Sequence, residues 1–179
     1  MMKKSVLCLL VDGFEEIEAV APIDLLRRAG VEVITASLKK GSVTGRCGIR
    51  MEADVLLSDV NPSLFDLLFI PGGPGVAELR SDGRPAALAR DFHAAGKPIA
   101  AICAAPLVLK DAGLLDGRRF TSHDSVHEEL PGVTDERVVV DGNLITSRGA
   151  GTALDFAYAL IQLLVGEAAV TEVQRAIMA

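Results

Sequence analysis

Short apolar runs and helix-like patterns alternate along this chain. Ser5–Val11 is an apolar run, the signature of a strand covered on both faces. Glu16–Ala29 follows as a helix and stops at Gly30, a residue suited to the left-handed position after a helix. Val31–Ser37 is the next strand, and residues 39–61 hold shorter pieces that predict a small hairpin or excursion. Asp66–Ile70 is a third core strand, closed by Pro71-Gly72-Gly73. A helix over Arg84–Ala95, a strand over Pro98–Ile102 and a helix over Ala104–Ala112 come next, then a short strand at Arg119–Thr121. Arg137–Val140 and Leu144–Thr146 flank Asp141-Gly142-Asn143, a hairpin signal. One or two helices run from Thr152 onward, with Thr152 and Asp155 as a capping box.

This alternation predicts an α/β fold with a mostly parallel, doubly wound sheet between two helical layers, a three-layer sandwich. No linker or repeat divides residues 1–179, so one domain is expected. In such sheets the functional site lies outside the carboxyl ends of the strands.

Composition narrows the partners. Half of the 179 residues are apolar and the net charge is −6 without basic runs, which counts against nucleic acid and anionic membranes. No segment is long and apolar enough to span a bilayer. The opening MMKKSVLCLLV imitates a signal peptide, but Asp12 ends the apolar run early and no cleavage site follows, so a buried strand is expected. The three cysteines, Cys8, Cys47 and Cys103, show no metal-type spacing and suit a reduced, cytoplasmic protein.

Four places carry candidate chemistry. Cys103 stands between a buried strand and a helix start, where small neighbours permit a sharp turn and helix amides favour a thiolate. The pattern matches a nucleophile elbow only loosely, because Ala101 and Ala105 stand where glycines are usual. A buried structural cysteine is the other reading. Glu18 belongs to an acidic run, Glu15-Glu16-Ile17-Glu18, that reads either as solvated charge at a helix start or as a half-dry carboxyl beside the thiol. Ile17 and Val20 are expected to face the sheet, turning Glu18 along its edge. Pro22 lacks an N–H, so a loosened turn at Glu18 is expected. Gly72 or Gly73 supplies an oxyanion hole together with the amide of Ala104, or else these glycines form a plain turn. His123 is a base or binding group, or a surface histidine. Cys103, Glu18 and His123 are too scattered in sequence to make a metal motif, and no metal is expected.

Five segments in order resemble the ThiJ/PfpI superfamily, in the branch of the Parkinson-disease protein, here the DJ-one branch. They are residues 13–18 (GFEEIE), 26–30 (LRRAG), 70–73 (IPGG), 100–106 (AAICAAP) and 146–152 (TSRGAGT). The resemblance implies a flavodoxin-like fold, a homodimer and no cofactor. It also implies a Cys103 thiolate hydrogen-bonded to a protonated Glu18. Gly73, Ala104 and His123 would line the pocket, with Arg28 near it at the dimer interface. The implied activity is cofactor-free conversion of small 2-oxoaldehydes, or of their protein adducts, to hydroxy acids. Oxidative-stress sensing through a Cys103 sulfinate and a holdase role are the alternatives. Two departures stand out. Ala150 occupies a position where the branch often has proline, and Ala104 one where a protease-like branch carries histidine, which counts against peptidase activity.

Overall fold

The computed structural model describes residues 3–179. Its central sheet uses β1 (Ser5–Leu10), β2 (Glu32–Ser37), β5 (Val55–Leu56), β6 (Leu67–Ile70), β7 (Ile99–Ile102), β8 (Val138–Asp141) and β9 (Leu144–Ser147). Their spatial order is β5-β2-β1-β6-β7-β9-β8. All neighbours are parallel except β8 and β9, which form the hairpin expected around Gly142. A separate two-stranded ribbon, β3 (Ser42–Thr44) with β4 (Arg50–Glu52), is the small excursion expected within 39–61. The fold is thus the doubly wound α/β sandwich that the alternation predicts, and it is flavodoxin-like, as the resemblance implies.

Strand period explains why both faces must be covered. Leu7, Leu9, Leu68, Ile70, Ile99 and Ala101 point to one core. Their alternates Val6, Cys8, Leu10, Leu67, Phe69, Ala100 and Ile102 point to the other. The first core is roofed by α2 (Val76–Asp82), α3 (Arg84–Ala94) and α4 (Pro106–Asp111). The second is roofed by α1 (Glu16–Arg28), α5 (Ala153–Leu164) and α6 (Glu167–Ile177). Phe69 and Phe156 meet there with ring centroids 5.6 Å apart. Cys8 is fully buried in that core, and burial pushes its thiol far up, so it is chemically inert. Among the described residues, no helix is long and apolar enough to cross a membrane.

Several local expectations are corrected. The face of α1 that docks is Ala19, Pro22, Ile23, Leu25 and Leu26, whereas Ile17 and Val20 are 55% and 43% exposed. Pro22 does not break α1, which runs unbroken from Glu16. Residues 119–121 form no strand; instead the Thr121 amide donates to Thr146 Oγ1 at 2.9 Å. Thr152 makes no cap to α5: its hydroxyl bonds Ser147 Oγ (2.6 Å) and Gly149 O (2.9 Å), and Asp155 pairs with Arg137 instead. The helix after Cys103 begins at Pro106, and the Ala105 amide is spent on Ile102 O at 3.1 Å. The seven-residue α2 sits between Gly75 and Gly83, too short to show a helical period.

Strand order places the site. From β1 the chain goes to β2 on one side and later to β6 on the other, so the loops after β1 and β6 meet at a topological switch point. They are stitched together by Glu15 N to Gly72 O and Gly75 N to Gly13 O, both 3.0 Å.

Candidate active site

Cys103 follows the last residue of β7 and adopts φ 66°, a left-handed conformation that costs a non-glycine residue about 1–2 kcal/mol. The strain is held at both ends. Its amide donates to Ser147 O on β9, and its carbonyl accepts from the His123 amide, each at 2.9 Å. The expected elbow therefore exists, made by neighbouring backbone rather than by glycines beside the cysteine. Cys103 is 8% exposed and lines an open cleft of about 380 Å³, so it is neither a sealed core thiol nor a free surface one.

Glu18 comes from the first turn of α1 and is only 1% exposed. Its carboxyl meets the thiol across Gly72, whose amide donates to Glu18 Oε2 at 3.0 Å. The glycine is obligatory for this contact. A Cβ at position 72 would fall 2.5 Å from Cys103 Cβ, 2.6 Å from Glu18 Oε2 and 2.8 Å from Ile102 O. The Gly72 amide is thus engaged with the acid. The amides left facing the sulfur are those of Gly73 and Ala104. The acidic run is not a solvated patch, because its members do three different jobs. Glu15 caps the helix by accepting the Glu18 amide at 2.8 Å. Glu16, 5% exposed, accepts the Cys47 and Ile49 amides at 2.8 and 3.3 Å. Glu18 alone turns to the cysteine.

The two acids oppose one another. Burial raises the Glu18 carboxyl to about 7; its hydrogen bond with Cys103 and the amides of Gly72 and Ala150 pull the other way, and the charge on Glu15 adds to the rise. Ala150 can act in this way because it keeps an amide proton, which a proline there would lack. Burial, followed by the charge and hydrogen bond of Glu18, raises Cys103 to about 12, against the amides of Gly73 and Ala104. A thiolate beside an ionised Glu18 is therefore strongly disfavoured. The simple expectation of helix amides lowering the thiol fails here, because burial and a neighbouring carboxylate outweigh two amides. What the geometry permits near neutral pH is one negative charge and one proton for the pair together.

His123 lines the same cleft and is half exposed. Its Nδ1 is engaged by Ser125 (amide 3.2 Å, Oγ 2.9 Å) and lies 2.9 Å from an Asp124 carboxylate oxygen. Nε2 has no hydrogen-bond partner among the described residues. Gly73 and Ala104 also line the cleft. Arg28 does not: it lies ten residues beyond Glu18, about 15 Å along the helix axis, and pairs with Asp24 at 2.8 Å. Within one chain it is therefore no part of the site. The cleft also recruits Arg46, Val76, Ala77, Arg80, Leu107, Val126 and Glu129, which sequence reasoning did not single out. Arg46 and Glu129 sit in irregular turns, Val126 in a single 3₁₀ turn, Val76, Ala77 and Arg80 on the short α2, and Leu107 on α4, and no local pattern marks any of them.

Comparison with known proteins places the chain by sequence and by fold. The DJ-1/PfpI family profile matches residues 4–163. A protein named as a deglycase from Pyrococcus abyssi is 37% identical, with 89% of this chain and 98% of that protein covered. The protein dj-1beta of Drosophila melanogaster is 39% identical, with 99% and 98% covered. Its crystal structure superposes with a TM-score of 0.93 at 38% identity, covering 99% of both chains. An oxidized DJ-1 from Toxoplasma gondii gives 0.92 at 34% identity, covering 98% of both. With the family profile, the fold and relatives all matching across most of its length, this chain belongs to the DJ-1/PfpI family.

Proposed function

We propose that this chain is a cofactor-independent enzyme of the deglycase or glyoxalase III type, acting on small 2-oxoaldehydes or their protein adducts. The observation that carries the reading is a thiol on the cleft wall, Cys103, fixed in a strained elbow and hydrogen-bonded to the buried Glu18 carboxyl. Relatives named as deglycases support the reaction class.

In the proposed reaction the proton resides on Glu18 and the charge on sulfur. The thiolate adds to the aldehyde carbon and forms a hemithioacetal. The amides of Ala104 and Gly73 then face the new oxyanion. Glu18 gives its proton to that oxyanion and, now a carboxylate, takes the C–H proton from the former aldehyde carbon and returns it to the former ketone carbon through an enediol, the hydroxyl proton passing between the two oxygens, which leaves a 2-hydroxy thioester. Water attacks the thioester and gives its proton to the Glu18 carboxylate, while His123, whose Nδ1 accepts the Ser125 amide, offers Nε2–H as a hydrogen-bond donor at the cleft. The C–S bond breaks, the hydroxy acid departs and the thiolate is restored. Methylglyoxal and one water thus give lactate and a proton.

A second reading, oxidation of Cys103 to a sulfinate, has its own support. One relative's structure is described as oxidized, and the Gly73 and Ala104 amides that face the sulfur are donors for sulfinate oxygens. We further propose a homodimer. Ile17, Val20 and Ile49 are large, apolar and exposed. The Ile49 amide bonds Glu16, which places it beside the first turn of α1. A patch of this kind is a natural isologous contact.

Four outcomes test these readings. Lactate formation from methylglyoxal should vanish in Cys103→Ser and fall about a hundredfold or more in Glu18→Gln; an unchanged rate in Glu18→Gln contradicts the proton shuttle. In the wild type the rate should fall as pH drops below about 7, because the pair then takes up a second proton and loses its nucleophile. After mild peroxide, intact-mass analysis should place two oxygens on Cys103; modification confined to the exposed Cys47 would remove the sulfinate reading. Sedimentation equilibrium should give a dimer for the wild type and a monomer for Ile17→Glu, and a monomeric wild type would refute the assembly.

A further inference from the structure

The cleft beside Cys103 holds two arginines in different electrostatic states. Arg80 is neutralised, with Nε and Nη2 on the Asp111 carboxylate at 2.7 and 3.0 Å and Nη1 on Glu129 at 3.0 Å. Arg46 has no carboxylate or hydrogen-bond acceptor for its side chain among the described residues. Its guanidinium is a free, planar, permanently charged donor at the edge of a reaction cleft.

Arg46 is nevertheless carried on a rigid platform. Its own amide donates to Phe14 O at 2.8 Å, and the Gly45 amide to Ile49 O at 2.8 Å. The preceding strand is tied by Gly13 N to Thr44 O at 2.7 Å, and the following residue by Cys47 N to Glu16 Oε1 at 2.8 Å. Gly45 packs so closely on Glu16 that a Cβ there would fall 2.3 Å from Oε1. The turn bearing Arg46 is therefore bound to the start of α1, the same helix turn that presents Glu18. On that fixed backbone the unpaired guanidinium presents a planar fork of donors that fits a carboxylate bidentately.

We infer that Arg46 determines specificity in this cleft by binding a carboxylate on the far end of the substrate, so that anionic 2-oxoaldehydes are preferred over neutral ones. This rests on the proposed 2-oxoaldehyde reading of the site. The molecule's net charge of −6 gives no general attraction for anions, so the preference comes from local contact and is expressed in KM.

The test pairs 4,5-dioxopentanoate with 2-oxopentanal, two 2-oxoaldehydes of matched chain length of which only the first ends in a carboxylate. In Arg46→Ala the ratio of kcat/KM for the anionic over the neutral substrate should fall about ten- to a hundredfold, mainly through KM, with partial recovery in Arg46→Lys. A ratio that stays constant, including an equal loss on both substrates, overturns the assignment. If the wild type turns over neither compound, the catalytic reading fails by itself, and Arg46 is judged by calorimetric titration with 2-hydroxyglutarate. Binding to the wild type that weakens in Arg46→Ala by the same factor sustains the carboxylate site. Equal binding to both proteins, or none to the wild type, ends it.

Discussion

Two acidic groups face each other in a space from which water is largely removed, and they cannot both be charged there. Burial alone drives the Glu18 carboxyl and the Cys103 thiol toward their neutral forms. The amides around them favour a charge on either group, but they do not offset burial together with the repulsion between two charges. The Gly72 and Ala150 amides face the carboxyl, and those of Gly73 and Ala104 face the sulfur. The pair is thus poised to hold one charge and to exchange one proton, which is what an addition followed by a proton shift requires.

The rest of the fold serves that confrontation. A parallel sheet with its switch point beside β1 brings the loops after β1 and β6 together and sets β7 next to them. Gly72 has no side chain, so the acid from α1 can reach across to the thiol. Cys103 is kept in a left-handed turn because the Ser147 carbonyl and His123 amide hold its backbone from two other segments. Such strain persists only where the surroundings over-determine it. The open cleft then gives substrates access to a group otherwise surrounded by core.

Much of this was legible in the chain. The central strands are short apolar runs whose alternate residues feed two separate cores, and that pattern is explicit in Ser5–Val11 and Asp66–Ile70. Cys103 and the glycines after β6 could be placed at the strand ends by the general rule for parallel sheets. The errors arose where apolar residues do not face a core of the single chain. Ile17 and Val20 look like core positions by composition, yet they face outward, while Glu16 and Glu18 are buried because backbone amides await them. The short α2, the non-capping Thr152 and the role of Arg46 depend on contacts between distant segments, which local pattern does not encode. Arg28, which the resemblance puts beside the pocket at a dimer interface, lies at the far end of α1 within one chain, so any approach to the site would come through a second copy.

The account depends most directly on where the single charge sits, and ultraviolet absorbance of the thiolate reads that location. Followed against pH, the absorbance should rise with the first ionisation of the pair, well before the value of about 12 that the thiol takes beside an ionised Glu18, and Cys103→Ser should abolish the step. A wild-type protein whose absorbance stays flat through neutrality and rises only near 12 would place the charge on Glu18 and contradict the proposed nucleophile.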